Sequence, residues 1–538
     1  MATDNPAEID RFCTLPQELR FKILYQLDLQ SLLRCEKYKI KLAQAGMVDG
    51  QSSSMDHPLA QRLRNLEEYL RRRLTPRPWE DTSATPPPWR FNASTVRKLP
   101  VTGGIIPYLQ DGDLILWQPG SPLRGVEDIK IVLNSAILKA NMIALLSISG
   151  CVVDASQDLL AVTTDQCHLF SLTRTGAAHP LAPIPILHSA VAFAGSLYPT
   201  RVGFSAYLEV CGDILLWQRK ITESTIQVWN WKTGQLIWGY HLLPDNPRPL
   251  TIQAFLMGYQ NSLIIVQDDS ICVVRMDPNV VNFEPGNLQP SVADINAEAC
   301  LRLMFYPSPR WPPFWSFNLS VDYEAHMHRP SYPLGRRPLF EVDPALTVLT
   351  IRRRSGTAPS GGDSQILIVP VSTISSFMPA PSAHVAPSSS SNKHVPAIIP
   401  FDDWAKRGDT VTVPAPGRTL CLGALGSQCG FVGHVRKKGY EGFSMLLVDA
   451  HPGARYDPHE EFHLAPVETD SSRPAGATLA VSYSVNRGNA TALPYKRTLV
   501  EMPVYSGYDS VVSLDLFPDQ CVFRFKEMFS QDTWAFYL

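Results

Sequence analysis

A seven-residue phrase occurs twice, one hundred residues apart: Gly112-Asp113-Leu114-Ile115-Leu116-Trp117-Gln118 and Gly212-Asp213-Ile214-Leu215-Leu216-Trp217-Gln218. Each apolar run is too short for a helix, is rich in Ile, Leu and Trp, and follows a Gly-Asp turn, which describes a strand buried on both faces. Between and after the two copies lie Asp158-Leu159-Leu160-Ala161-Val162 and Asn261-Ser262-Leu263-Ile264-Ile265-Val266. The run starts are about 45–55 residues apart, the period of a four-stranded blade. Further strands follow closely, as in His168-Leu169-Phe170-Ser171-Leu172 and Ile226-Gln227-Val228-Trp229-Asn230-Trp231-Lys232-Thr233-Gly234, whose end looks like that of a WD-repeat strand. Later runs at 346–352, 366–371, 419–425, 443–449, 478–485 and 511–517 are less evenly spaced. Radial closure accounts for so many short strands with so little helix, so the spacing predicts a β-propeller-like domain over 96–538. A pair of β-sandwiches is the structural alternative. Two stretches inside it, 355–364 and 376–400, are Ser-, Gly- and Pro-rich and are expected to be disordered loops.

The first 95 residues read differently. Pro16 suits a first helical turn and Thr14 with Gln17 has capping-box spacing. Leu19, Ile23 and Leu27 then recur on one helical face, widened by Leu24. Asp28 ends that helix and can cap a second one that presents Leu29, Leu32 and Leu33. Leu59, Leu63, Leu66, Leu70 and Leu74 make another stripe, with Arg71-Arg72-Arg73 read as a solvated helix end. Residues 76–95 are a proline-rich linker. A segment of about two dozen residues cannot bury its own leucines, and each Leu or Ile left in water forgoes about 1.5–3 kcal/mol, so a partner or the rest of the chain must cover them.

Phe12-Cys13-Thr14-Leu15-Pro16-Gln17-Glu18-Leu19-Arg20-Phe21-Lys22-Ile23-Leu24-Tyr25-Gln26-Leu27, with Leu32-Leu33-Arg34-Cys35, resembles the opening half of an F-box. The whole chain is similar to a fungal F-box protein family in which the F-box precedes a propeller-like region, and Tyr38-Lys39-Ile40-Lys41-Leu42-Ala43-Gln44-Ala45-Gly46-Met47-Val48-Asp49-Gly50 extends the likeness. In that family a third helix separates Leu-Leu-x-Cys from Tyr-Lys-Ile; here Cys35-Glu36-Lys37 runs straight into Tyr38. The resemblance implies a mainly β protein with an N-terminal α-helical F-box remnant at 12–37, a helical connector at 38–75, the linker, and the propeller-like domain. It implies an adaptor that docks a Skp adaptor, and through it a cullin, by Leu15, Pro16, Glu18, Leu19, Ile23, Leu24, Leu27, Leu32 and Leu33, and that presents an unknown protein substrate for ubiquitination. The alternative is a propeller-type interaction scaffold uncoupled from the ligase because its F-box is incomplete.

Composition narrows the partners. A net charge of −2 over 538 residues argues against nucleic acid or an anionic membrane as the main partner. No apolar run reaches the ~18 residues of a membrane span, and the N-terminus is not a secretory signal. The ten cysteines include no Cys-x-x-Cys pair and several sit inside apolar runs, as reduced core thiols do, so the expected location is cytoplasmic and/or nuclear. No catalytic motif and no cofactor site is expected. His459-Glu460-Glu461-Phe462-His463 fits His-Glu-x-x-His, but Pro458 and Pro466 deny it the helix that would hold both imidazoles on one zinc. His326-Met327-His328 finds no further cluster to complete a metal site. Trp117, Trp217, Trp229, Trp231 and Trp238 are expected in the core, while Trp311-Pro312-Pro313-Phe314-Trp315 is a candidate binding segment.

Overall fold

In the computed structural model the chain folds into successive antiparallel sheets preceded by two helices. The structure describes residues 16–19, 29–50, 57–74, 77–78, 96–99, 104–144, 147–189, 206–220, 224–241, 252–257, 261–267, 269–276, 299–305, 323–327, 333–353, 365–379, 396–407, 411–414, 418–437, 440–450, 480–485, 496–503, 508–516, 520–527 and 531–537.

Among these residues the sheets follow chain order. The first contains Val96–Lys98, Ile106–Gln110, Asp113–Gln118 and Ile129–Leu133. Next come Gly150–Asp154, Leu159–Thr163, Gln166–Ser171 and Ile186–His188. The third is Ala206–Cys211, Ile214–Lys220, Ser224–Asn230 and Gln235–His241. The fourth is Gln253–Met257, Ser262–Val266, Ser270–Arg275 and Leu301–Met304, widened by the parallel strand Ala397–Ile399. Tyr323–His326, Val348–Arg353, Gln365–Pro370 and Val411–Pro414 form the fifth. Arg418–Leu425, Gln428–Lys437, Tyr440–Asp449, Lys496–Pro503 and Ala480–Val485 form the sixth. In the seventh, Tyr508–Leu516, Gln520–Glu527 and Gln531–Tyr537 are joined by Arg77–Pro78, which pairs with Phe536 and Tyr537. The arrangement is mainly β and propeller-like, with a helical N-terminal region.

Both copies of the repeated phrase are interior strands. Leu116 faces Pro107 and Ile131 across its sheet, and Leu216 faces Glu209 and Val228. Asp111 and Gly112 both have positive φ, the geometry of a tight hairpin turn, which is why an Asp-Gly pair precedes the strand. Because the second sheet is covered on both faces, Leu159–Thr163 is buried at every position. Cys151, Val153, Leu160 and Val162 pack on Leu114, Leu116 and Leu133 of the sheet before. Leu159, Ala161 and Leu169 pack on Leu215, Trp217 and Trp229 of the sheet after. The same interleaving continues from the third sheet to the sixth. Trp117, Trp217, Trp229, Trp231 and Trp238 are all buried, as expected.

Several expectations are corrected. The boundary placed at 37/38 falls inside one unbroken helix, α1 (Leu29–Ala45), since no residue from Leu29 to Ala45 is a helix breaker. The helical connector 38–75 contains a strand, Met47–Asp49, before α2 (Leu59–Leu74). The proline-rich linker supplies the closing strand Arg77–Pro78, at a sheet edge where a proline's missing N–H does no harm. The stretch 376–400 is ordered at both ends: it starts in the helix Val371–Ser376 and closes with Ala397–Ile399, which pairs with Leu301–Leu303. Residues 355–364, Trp311, Trp315, His459 and His463 lie outside the described residues.

Candidate functional site

The N-terminal helices form the best-defined surface feature that is not part of a sheet. In α1, Tyr38, Leu42 and Ala45 recur on one face and are buried, and in α2 Leu63, Leu66 and Tyr69 meet them. Gly46, at φ 66°, ends α1 in the left-handed conformation that only glycine adopts readily. The chain then enters Met47–Asp49, which pairs antiparallel with Phe340–Val342, Met47 facing Val342 and Asp49 facing Phe340. Tyr69 meets Phe340 edge to face at 5.2 Å.

Polar contacts fix the same junction. The Asp343 N–H donates to the Gly46 carbonyl at 3.0 Å, and the Leu339 N–H donates to the Arg124 carbonyl at 2.7 Å. Asn65 Nδ2 donates to the Leu123 carbonyl at 3.1 Å, and Arg124 Nε to the Phe340 carbonyl at 3.2 Å. Arg62, nearly buried, pairs with Asp49 at 3.1 Å, and Lys37 pairs with Glu67 at 2.6 Å. Burial, and next the Asp49 carboxylate, push the Tyr38 phenol well above its ordinary range. Burial also raises the Glu341 carboxyl, against the pull of Arg124 and Arg337.

The proposed docking residues divide. Pro16, Glu18 and Leu19 are exposed at the start of a helical turn, with Leu19 46% accessible. Leu32 is half-buried on α1 and Leu33 is 60% accessible. Leu15, Ile23, Leu24 and Leu27 lie outside the described residues. Ile40, which the sequence reading did not assign to docking, is 53% accessible. It borders a depression of about 390 Å³ lined also by Ala43, Gln44, Met47, Asp343 and Leu346.

A second constellation ties the second sheet to the third. Asp158 sits at φ 58° and accepts hydrogen bonds from the Thr173 N–H at 2.7 Å and from the Ser171 and Thr173 hydroxyls. Burial opposes its ionisation, but those donors hold its carboxyl below the usual value. His179 Nε2 meets the Gln157 carbonyl at 2.9 Å, and its ring stands edge-on to Trp231, 4.9 Å away. Trp231 Nε1 donates to the Gly212 carbonyl at 2.9 Å. These groups spend their hydrogen bonds on backbone and neighbouring hydroxyls, which makes the cluster structural. Single polar residues in turns carry no periodic signal, so sequence reading missed it. Among the described residues, no group of three or more His, Cys, Asp or Glu side chains is placed to hold a metal ion.

No family model matches the chain, and no curated protein matches it. Solved structures do align. The WD40 domain of SCAP from fission yeast aligns at 7% identity over 83% of this chain and 96% of its own, with a TM-score of 0.32. The β-propeller domain of the Trilobed protease from Pyrococcus furiosus aligns at 8% identity over 82% and 94%, with a TM-score of 0.29. Likeness at that level carries no argument of its own; the class rests on sheet order and interleaved cores, and it is a propeller-like β protein with a helical N-terminal unit.

Proposed function

We propose that this chain is a non-catalytic adaptor that recruits a protein substrate to a Skp–cullin–F-box ubiquitin ligase, and so acts in the cytoplasm and/or nucleus. The leucine-rich N-terminal helices would hold the Skp adaptor, and the ring of sheets would hold the substrate. The observation that carries this reading is the accessibility of Leu19 and of Leu33, the latter on a helix whose Tyr38, Leu42 and Ala45 are buried against the β domain. Bulky apolar side chains in such a place are the pattern of a docking face. A specific observation favours the alternative of an interaction scaffold uncoupled from the ligase: α1 passes unbroken through 37/38, leaving no room for the third helix of an F-box.

Co-purification with a Skp adaptor separates the two. Under the adaptor reading, the chain captures the Skp protein, and Leu19→Asp or Leu33→Asp abolishes capture at an unchanged melting temperature, because an unpaired charge enters the contact. Failure of the unaltered, folded chain to capture it leaves the uncoupled scaffold.

A further inference from the structure

The two copies of the repeated phrase put a tryptophan at the same point of the first and third sheets but surround it differently. In the first, Trp117 lies across from Lys130, whose ammonium sits 5.4 Å over the indole ring. Asp128, two residues before Lys130, accepts from Trp117 Nε1 at 3.0 Å. In the third, Trp217 lies across from Gln227, and the residue two before Gln227 is Thr225. A cation again covers the ring: Arg219, the cross-strand partner of Thr225, stands 5.8 Å from its centre. The acid that accompanies the cation in the first sheet is here a hydroxyl. Trp217 and Thr225 are each 1% accessible, and among the described residues neither Trp217 Nε1 nor Thr225 Oγ1 has a hydrogen-bond partner. Buried donors left in this state are costly and rare, and they point to a group that completes them.

The neighbours have committed their acceptors elsewhere. Gln227 donates to Ser189 Oγ at 2.9 Å and accepts from Trp229 Nε1 at 3.2 Å. Asp165 is exposed and accepts from the Thr164 hydroxyl at 2.9 Å. Burial pulls the Arg219 guanidinium down from its ordinary value, against the Asp165 charge, so an anion beside it offsets the cost of desolvation. Trp217 packs on the second sheet, and by strand alternation Arg219 and Thr225 share its face. We propose that Trp217, Arg219 and Thr225 form a carboxylate-binding site between the second and third sheets, in which the ligand takes the place that Asp128 fills in the first. Its oxygens accept from the indole N–H, the Thr225 hydroxyl and the guanidinium, the last as a charge-assisted pair. Entry is at the Arg219 end, where the side chain is half-buried, and Trp217 closes the inner end.

The test is the indole N–H spectrum of the full chain labelled with nitrogen-15 at tryptophan, titrated with sodium acetate against sodium chloride at constant ionic strength. The Trp217 signal, assigned by its loss in Trp217→Phe, should shift and saturate with acetate, while the Trp117 signal, already held by Asp128, stays in place. Arg219→Gln should weaken the response roughly tenfold or more, because the charged donor is gone. Thr225→Asp supplies an internal carboxylate as in the first sheet, so it should move the Trp217 signal to its bound position and abolish the response. Thr225→Val, of the same size, should weaken binding and keeps the test readable if Thr225→Asp does not fold. Acetylated aspartate amide in place of acetate separates the sources: tighter binding marks a side chain of a partner protein, weaker binding a small organic acid. A Trp217 signal that acetate leaves unmoved, that chloride moves equally, or that responds alike in the parent and Arg219→Gln overturns the inference.

Discussion

The Tyr38 hydroxyl donates a 3.1 Å hydrogen bond to the carbonyl oxygen of Leu339, 301 positions further along the chain. The same carbonyl also accepts from the Gly50 N–H at 3.2 Å. With the pairing of Met47–Asp49 to Phe340–Val342, this makes the N-terminal helices part of the β body rather than a tethered appendage.

Tyr38→Phe should therefore cost about 1 kcal/mol and no more, because Leu339 keeps its second donor. Tyr38→Ala removes the buried ring as well and should cost about 3–5 kcal/mol. Urea unfolding checks both. A separate early transition for the helices would contradict a single body.

Gly150 stands where the second and third sheets touch. A Cβ there would lie 2.6 Å from the Ala206 carbonyl oxygen, and the Ala206 N–H already donates to Ser149 at 3.1 Å. Neither backbone can yield, so Gly150→Ala should destabilise by about 1–3 kcal/mol. Gly212, at φ 57° with nothing within 4 Å of its Cβ position, should accept asparagine at little cost. Thermal melting of the two variants side by side is the measurement.

Thiol reactivity should follow burial. Burial alone pushes Cys151 up to about 12 and raises Cys167 further, and burial is the first cause at Cys272 and Cys429 too. Since the thiolate is the reactive form, these four should resist alkylation until the protein unfolds, while the partly exposed Cys35 and Cys211 react before them. Mass spectrometry of iodoacetamide-treated native protein reads the order.

Much of this architecture is written locally. The two Gly-Asp phrases and the stripe from Leu59 to Leu74 are strong because burial on both faces, or on one helical face, repeats over many residues. Met47–Asp49, Ala397–Ile399 and Arg77–Pro78 are too short to show a period, and each exists only because a strand hundreds or scores of residues away offers its edge. The continuity of α1 was hidden for a different reason. Family likeness put a boundary at 37/38, whereas Leu29 to Ala45 contains neither Gly nor Pro and simply stays helical. For the candidate site, leucines could be found by pattern, but the depression beside Ile40 is lined by Asp343 and Leu346, which only folding brings there.

On α2, hydrogen bonds from Arg71 and then Arg72 hold the Glu68 carboxyl down to about 2 from 4.5. A carboxylate depressed on folding adds stability above its unfolded value, and that contribution disappears as pH falls from about 4.5 through about 2. Screening at the surface keeps it below about 1 kcal/mol. Glu68→Gln should lower the urea midpoint slightly at neutral pH, and the difference from the parent should vanish in strong acid and shrink in high salt.

The pairing of Arg77–Pro78 with Phe536 and Tyr537 has a consequence for how the protein is made. Arg77–Pro78 leaves the ribosome long before Phe536 and Tyr537, so their pairing waits until the intervening sheets have been synthesised, and an edge left unpaired for that time invites association with other chains. The order of synthesis therefore places this contact after the sheets that lie between its two halves.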